Sequence, residues 1–107
     1  MIYGIDFDGT IVENKYPAIG MTLYKTYMFI KKLEQRGDKW ILITMREGEE
    51  LQKALDFLKR SELHPSAVNN NLPELIVDFG RNPRKIYADV YIDDRNAGGL
   101  LIPEGDD

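Results

Sequence analysis

The feature that most constrains this chain is its N-terminal segment, in which an apolar strand runs into two aspartates and a glycine turn. The segment reads Ile2-Tyr3-Gly4-Ile5-Asp6-Phe7-Asp8-Gly9-Thr10. Because side chains alternate along an extended strand, Asp6 and Asp8 would lie on the same side, where two carboxylates repel each other unless a cation or a shared proton lies between them. Mg²⁺ prefers carboxylate oxygens and is usually completed by a substrate phosphate, so the segment predicts a magnesium site.

Length and composition restrict the classes of protein that this chain can form. Its 107 residues suit one domain and leave no room for a second catalytic one. The absence of cysteine excludes disulfides, thiolate nucleophiles and zinc–thiolate sites. No apolar run approaches the roughly 20 residues of a membrane helix, so we expect a soluble, cytoplasmic protein with no membrane partner. A net charge of -4 argues against a broad nucleic-acid surface, although it does not exclude a small basic site.

Apolar periodicity predicts strands and helices that alternate along the chain. The strands are expected at residues 2–7, 40–44, 67–69 and 88–92, and the helices at about 21–35, 49–61 and 73–79. This alternation predicts an α/β fold: a single Rossmann-like domain over residues 1–102, with a mostly parallel central sheet and helices on both faces. Residues 103–107 are expected to form a loose acidic tail.

Chemically useful side chains close three of the predicted strands. Asp6 ends the first strand, Thr44 ends the second, and Asp93 with Asp94 ends the last. In open sheets of this kind, ligands bind beyond the carboxyl ends of the strands. We therefore expect these residues to meet at one edge of the sheet.

Three sequence motifs resemble those of the haloacid dehalogenase superfamily, whose members are mostly phosphatases that work through a phospho-aspartate. Asp-Phe-Asp-Gly-Thr followed by Ile11 and Val12 resembles the first motif. Ile41-Leu42-Ile43-Thr44 is similar to the second, in which the strand-end hydroxyl donates a hydrogen bond to phosphate, and Tyr91-Ile92-Asp93-Asp94 resembles the acidic fourth. The resemblance covers nearly the whole chain in order and implies a Mg²⁺-dependent phosphomonoester hydrolase.

The aspartates have distinct roles under this hypothesis. A phosphoryl group leaving an ester needs an in-line nucleophile and a proton for the departing oxygen. Asp6, as a carboxylate, would attack phosphorus, and a protonated Asp8 would protonate the leaving oxygen and then deprotonate the attacking water. The resemblance further implies that Mg²⁺ is held by Asp6, by the Asp8 main-chain carbonyl and by Asp93, with Asp94 as a second or outer ligand.

Phosphate also requires positive charge or hydrogen-bond donors. Besides Thr44, the candidate for the single lysine of the third motif is Lys85, which lies only eight residues before the last acidic pair, whereas most superfamily members have a helix in between. Lys85 would thus reach the site from a loop, or an arginine would substitute for it: Arg46, Arg81 or Arg84. Arg46 follows Thr44 by two residues, and its planar guanidinium would bind phosphate oxygens bidentately.

The gaps between the motifs are too short for the cap domain of larger relatives. We therefore expect a capless protein, similar to small hydrolase-like proteins of bacteria and their phages. The loop from Val12 to Gly20 would partly cover an open site. Its candidates for contacts with the leaving group are Glu13, Asn14, Lys15, Tyr16 and Pro17.

Other functions stay open at this point. The displaced lysine and the small size are also compatible with a non-catalytic phosphate- or metal-binding domain. The phosphorylated substrate is expected to be a small molecule or the end of a macromolecule, either a protein or a nucleic acid. The segments Ile43–Arg46 and Asp93–Arg95 are similar to the phosphatase half of polynucleotide kinase-phosphatases, which makes a nucleic-acid 3′ end one candidate. A nucleic-acid end would need basic residues beside the site, for which the candidates are Lys15, Arg46, Arg81, Arg84 and Arg95. Three aromatic residues expected at the surface, Tyr3, Tyr16 and Tyr87, allow a homodimer without requiring one.

Overall fold

Four parallel strands form the centre of the fold in the computed structural model, which describes residues 1–103. The strands are β1 (Ile2–Asp6), β2 (Lys39–Ile43), β3 (Ala67–Val68) and β4 (Val90–Ile92), and the helices are α1 (Tyr24–Gln35), α2 (Gly48–Arg60) and α3 (Pro73–Phe79). Across the sheet the strand order is β3-β2-β1-β4. Because every pairing is parallel, all four carboxyl ends lie at one edge of the sheet.

The prediction of a single Rossmann-like α/β domain is confirmed by this topology. Helix α1 begins three residues later than predicted, because the chain before it pairs with the loop that follows β1. Within that pairing, the Glu13 N–H donates to the Met21 carbonyl at 2.8 Å and the Leu23 N–H donates to the Ile11 carbonyl at 2.8 Å. The predicted acidic tail lies outside the described residues except for Pro103.

The two faces of the sheet are covered by different helices. One face packs against α1 and α2 through a buried cluster that includes Ile5, Leu33, Leu42 and Leu58. On the other face, α3 is tied to the sheet by an ion pair between Lys39 and Glu74. Within residues 1–103, no helix has both the length and the apolar character that crossing a membrane requires.

The expectation that Tyr3 is at the surface is wrong. Its side chain is on the strand face that meets α1, where its ring packs edge-to-face on Phe29 with centroids 5.4 Å apart. Only 7% of Tyr3 is exposed, so it offers nothing to a second subunit. Tyr16 and Tyr87 are exposed, as predicted.

Candidate active site

Residues from three strand ends surround one cavity at the carboxyl edge of the sheet. In the strand register Asp6 lies opposite Ile43, and Ile5 lies opposite Ile92, so the residues after β2 and β4 are brought beside the end of β1. The cavity has a volume of about 440 Å³. It is lined by Asp6, Asp8, Asn14, Tyr16, Thr44, Met45, Arg46, Asp93 and Arg95.

Three carboxylates in this region lie close enough together to hold a metal ion. One oxygen each of Asp6, Asp93 and Asp94 falls within 4.8 Å of the others. Oδ1 of Asp94 is buried and has no hydrogen-bond partner among the described residues. A buried carboxylate oxygen without a partner is costly, and a cation would supply one. The donor set consists of hard oxygen ligands, which suit Mg²⁺ or a similar ion.

The proximity of these carboxylates changes their proton affinity. Burial, followed by the negative charge of Asp93, raises the pKa of Asp6 from 3.8 to about 7; the charges of Asp94 and Asp8 act in the same direction. The pKa of Asp94 is also raised, by burial and by Asp93 beside it. The cluster therefore binds protons near neutral pH, and a bound cation would favour the ionised carboxylates instead.

The turn after β1 fixes the position of Asp94. The buried hydroxyl of Thr10 accepts a hydrogen bond from the Asp94 N–H at 3.1 Å, which links the first motif to the fourth. Gly9 has a φ of +85°, and a Cβ at this position would overlap the Asp94 carboxylate. The turn thus requires glycine for its conformation and for the close approach of a carboxylate. The sequence alone gave no separate role to Thr10.

Arg46 binds Asp8 and is almost completely buried, with 2% of its surface exposed. Its Nε donates to Oδ2 of Asp8 at 2.8 Å, and its Nη2 donates to Oδ1 at 2.7 Å. The other N–H groups donate to the main-chain carbonyls of Pro17, Ala18 and Glu50. An arginine side chain has five N–H donors, and here all five are used within the protein.

This geometry does not leave Arg46 free to bind phosphate, as the sequence had suggested. It also bears on the expected roles of the two motif aspartates. The sequence hypothesis has an ionised Asp6 and a protonated Asp8, whereas both oxygens of Asp8 accept hydrogen bonds from the Arg46 guanidinium. Asp6, in contrast, is the aspartate with the raised pKa. Asp8 also lies outside the carboxylate cluster, and its predicted contribution to a metal through its main-chain carbonyl stays a prediction.

Thr44 lines the cavity, and its hydroxyl can donate a hydrogen bond. Its Oγ1 accepts a hydrogen bond from the Arg46 main-chain N–H at 3.1 Å, so the hydroxyl proton remains available. Its own N–H donates to Oδ1 of Asn69 at 2.8 Å. Asn69 has a φ of 50°, a conformation that asparagine tolerates better than most residues. Asn69 is a positioning residue that the sequence did not indicate.

Lys85 does not line the carboxylate cavity. It lies instead beside a second cavity of about 330 Å³ together with Phe79, Pro83, Tyr87, Ala88 and Tyr91. The Asn71 side chain fixes the backbone of this loop, because its Nδ2 donates to the Lys85 carbonyl and its Oδ1 accepts from the Tyr87 N–H. The predicted phosphate-binding lysine is therefore displaced from the site.

Arg95 is the cation that lines the carboxylate cavity and has no ion pair within residues 1–103. Its main-chain N–H donates to Oδ1 of Asp93 at 2.9 Å, which fixes the backbone beside the acidic cluster. The side chain itself is exposed. The sequence had considered Arg95 only as part of a basic surface, whereas the structure makes it the available arginine at the site.

The loop after β1 forms one wall of the cavity. Of its predicted contact residues, Asn14 and Tyr16 line the cavity, whereas Glu13, Lys15 and Pro17 do not. The loop is fixed by the bonds of Arg46 to the carbonyls of Pro17 and Ala18. A further wall residue that the sequence did not indicate is Met45, which is 96% exposed.

Comparison with known structures finds a similar protein in Bacteroides thetaiotaomicron, described as a conserved protein coded by a locus of that organism. The two chains are 40% identical, and the match covers 94% of this chain and 81% of the other, with a TM-score of 0.83. No protein-family model matches the sequence, and no curated protein matches it.

Proposed function

We propose that this chain, which belongs to the same family as the conserved Bacteroides protein, is a Mg²⁺-dependent phosphomonoester hydrolase. The proposal rests chiefly on one observation. The carboxylates of Asp6, Asp93 and Asp94 converge, and two of them, Asp6 and Asp93, line a cavity that Asp8 and Thr44 also line. Phosphoryl transfer through an aspartate requires a nucleophile, metal ligands, an acid–base group and a hydrogen-bond donor to the phosphate.

Mg²⁺ would be held by Asp6, Asp93 and Asp94. The Asp94 oxygen that lacks a hydrogen-bond partner within residues 1–103 supports this assignment, and so does the pKa of Asp6, which burial and the charge of Asp93 raise. When bound, the ion would offset the repulsion between these carboxylates and an incoming phosphate dianion.

Asp6 and Asp8 would then carry out the two steps of the reaction. An Asp6 oxygen attacks phosphorus, a new O–P bond forms, and the ester O–P bond breaks. The departing oxygen takes a proton from Asp8. In the second step water attacks phosphorus, Asp8 takes a proton from that water, and phosphate and the Asp6 carboxylate are released. Arg46 donates hydrogen bonds to both oxygens of Asp8 and so orients this carboxyl group.

Two groups would bind the phosphate oxygens. Thr44 supplies its hydroxyl proton, and Arg95 supplies the positive charge that the sequence hypothesis assigned to Lys85 or Arg46. The support for Arg95 is its place in the cavity wall and its lack of an ion pair within residues 1–103. A guanidinium suits this role because its parallel N–H groups match two phosphate oxygens.

A nucleic-acid 3′ end is less favoured than a small molecule. Of the basic residues considered for that role, only Arg46 and Arg95 line the cavity, and the N–H groups of Arg46 are all used within the protein. Polymer binding needs several free cations along the backbone path.

The experiment is phosphate release from a panel of phosphomonoesters, with Mg²⁺ or with EDTA. We expect turnover by the wild type in Mg²⁺, none in EDTA, and none for Asp6→Asn. Arg95→Met should lower kcat/KM about 10- to 100-fold, the value of a hydrogen bond to a charged group. Asp78→Asn, at an exposed aspartate of α3, is the matched control and should retain wild-type activity.

The rival function, a non-catalytic phosphate- or metal-binding domain, makes the opposite prediction. A folded protein that binds Mg²⁺ but releases no phosphate from any ester of the panel would favour the rival. Turnover that survives Asp6→Asn would exclude the phospho-aspartate and leave the fold with another chemistry.

A further inference from the structure

Four planar groups contact one another in series beside the carboxylate cavity, and Tyr16 is the exposed one at the end of the series. The Phe57 ring packs edge-to-face on Phe7, with centroids 6.0 Å apart. The Arg46 guanidinium lies over both the Phe7 ring and the Tyr16 ring, 5.2 Å and 5.0 Å from their centroids. Although one side of its ring is occupied by Arg46, Tyr16 is still 57% exposed. Tyr16 therefore keeps exposed surface beside the cavity that it lines.

Tyr16 is held in place without any ligand. Its N–H donates to Oδ1 of Asn14 at 3.3 Å, and the next two carbonyls, of Pro17 and Ala18, accept hydrogen bonds from the buried Arg46. The base of the loop is closed by the 2.8 Å bond from the Glu13 N–H to the Met21 carbonyl. A ring fixed beforehand loses little conformational freedom when a ligand stacks on it.

Met45 adds an apolar group to the same wall. It is almost fully exposed, so it contributes nothing to the core. A thioether side chain adapts to flat apolar surfaces and makes favourable contacts with rings. Met45 and the exposed part of Tyr16 add nothing to the core, and they lie at a cavity that otherwise contains charged and polar groups, which favours contact with a ligand.

We propose that the leaving group of the substrate carries a planar unsaturated ring, as in a nucleoside monophosphate, and that this ring stacks on Tyr16. This inference rests on the proposed function, which places the phosphate at Asp6 and the leaving group toward the Tyr16 wall. A sugar alone would leave the Tyr16 ring and the Met45 thioether of the cavity wall without an apolar partner. The volume of about 440 Å³ is within the range of small-molecule sites.

The test compares AMP with ribose 5-phosphate, which carry the phosphate on the same carbon and differ by the base. We measure kcat/KM in Mg²⁺ for the wild type, and binding of both compounds to Asp6→Asn by calorimetry. Stacking of one base on an aromatic side chain predicts a preference for AMP of about tenfold or more. Tyr16→Leu should bring the ratio of kcat/KM for AMP to that for ribose 5-phosphate to within about twofold of one, whereas Tyr16→Phe should keep the wild-type ratio. Tyr24→Leu, at an exposed tyrosine outside this cavity, is the matched control and should leave the ratio unchanged.

A second readout does not depend on the folding of any variant. Upfield shifts of the base protons of AMP on binding to the wild type would report an aromatic ring over the base. Equal affinity and equal kcat/KM for the two compounds would overturn the proposal, and so would a full preference for AMP in a folded Tyr16→Leu protein. The binding measurements separate this inference from the proposed function: a preference for AMP without phosphate release would support stacking and reject the hydrolase.

Discussion

Arg46 connects Asp8, the loop after β1 and helix α2 through hydrogen bonds that use all its donors. Removing one partner of a buried ion pair costs about 3–5 kcal/mol, because the other charge is left without compensation. We expect Arg46→Met to lower the free energy of unfolding by about 3 kcal/mol. This value is at the lower limit of that range because Asp8 keeps some contact with water. Urea denaturation followed by circular dichroism measures this change.

The matched control for Arg46→Met is Arg84→Met, at an exposed arginine. Exposed substitutions usually change stability by no more than about 0.5 kcal/mol. Equal effects of the two substitutions would mean that the hydrogen bonds of Arg46 contribute no more than a solvated surface charge.

The positions of the acidic residues could be predicted from the sequence, but the partners of Arg46 could not. Asp6, Thr44 and Asp93 each end or follow an apolar strand, and parallel strands bring such residues to one edge. Three acceptors of Arg46 are main-chain carbonyls, whose directions depend on the conformation of a loop and of a helix end. The directions of these carbonyls cannot be predicted from the identities of the side chains.

The turn after β1 is the element on which the geometry of the site depends most. Gly9 has a φ of +85° and faces the Asp94 carboxylate, whereas Gly37, after α1, has a nearly equal φ of +84° with no atom within 4 Å of an added Cβ. Comparing alanine substitutions at Gly9 and Gly37 therefore separates the effect of backbone strain from that of steric overlap. Strain of this kind costs about 1–2 kcal/mol for a residue with a side chain.

We expect Gly37→Ala to lower the free energy of unfolding by about 1 kcal/mol and to leave Mg²⁺ affinity unchanged. Gly9→Ala should lower stability further and weaken Mg²⁺ binding, because the new methyl group displaces Asp94. Urea denaturation and calorimetric Mg²⁺ titration of both variants measure these effects. Identical losses in the two proteins, with Mg²⁺ binding intact, would show that Asp94 moves aside without consequence.

At the level of elements, the sequence predicted regular structure better than loop paths. Helix α3 begins at Pro73 and ends at Phe79, as predicted, because proline favours the first helical turn and Gly80 takes the left-handed conformation at the end. The loop that carries Lys85 is different. Its path is set by the Asn71 side chain, which bonds to the backbone of residues 83, 85 and 87. The apolar periodicity of the sequence does not indicate hydrogen bonds between a side chain and the backbone of a loop.

For the molecule as a whole, the acidic cluster makes folding stability depend on pH. The pKa of Asp6 is raised to about 7 in the folded protein, above its ordinary value of 3.8. Between these values the folded state binds a proton that the unfolded state has released, so stability falls as pH rises from about 4 to 7. Asp94 acts with the same sign. Asp38, Glu74 and Asp89 have lowered pKa values, and their stabilising contribution is lost only as the pH falls to about 4 and below.

We therefore expect the protein in EDTA to become more stable as the pH is lowered from 7.5 to 5. The contribution of Asp6 cannot exceed the linkage limit for one proton, about 1.4 kcal/mol per pH unit, and is smaller because solvent screens a half-buried group. Asp6→Asn should flatten the profile, because the amide has no proton to bind in this range. Saturating Mg²⁺ should also flatten or invert it, since the cation favours the ionised carboxylates and binds only the folded cluster. Thermal unfolding at each pH, for both proteins with and without Mg²⁺, measures these slopes. A wild-type profile in EDTA that matches Asp6→Asn at every pH would show that the negative charges at the sheet edge are already neutralised without a metal.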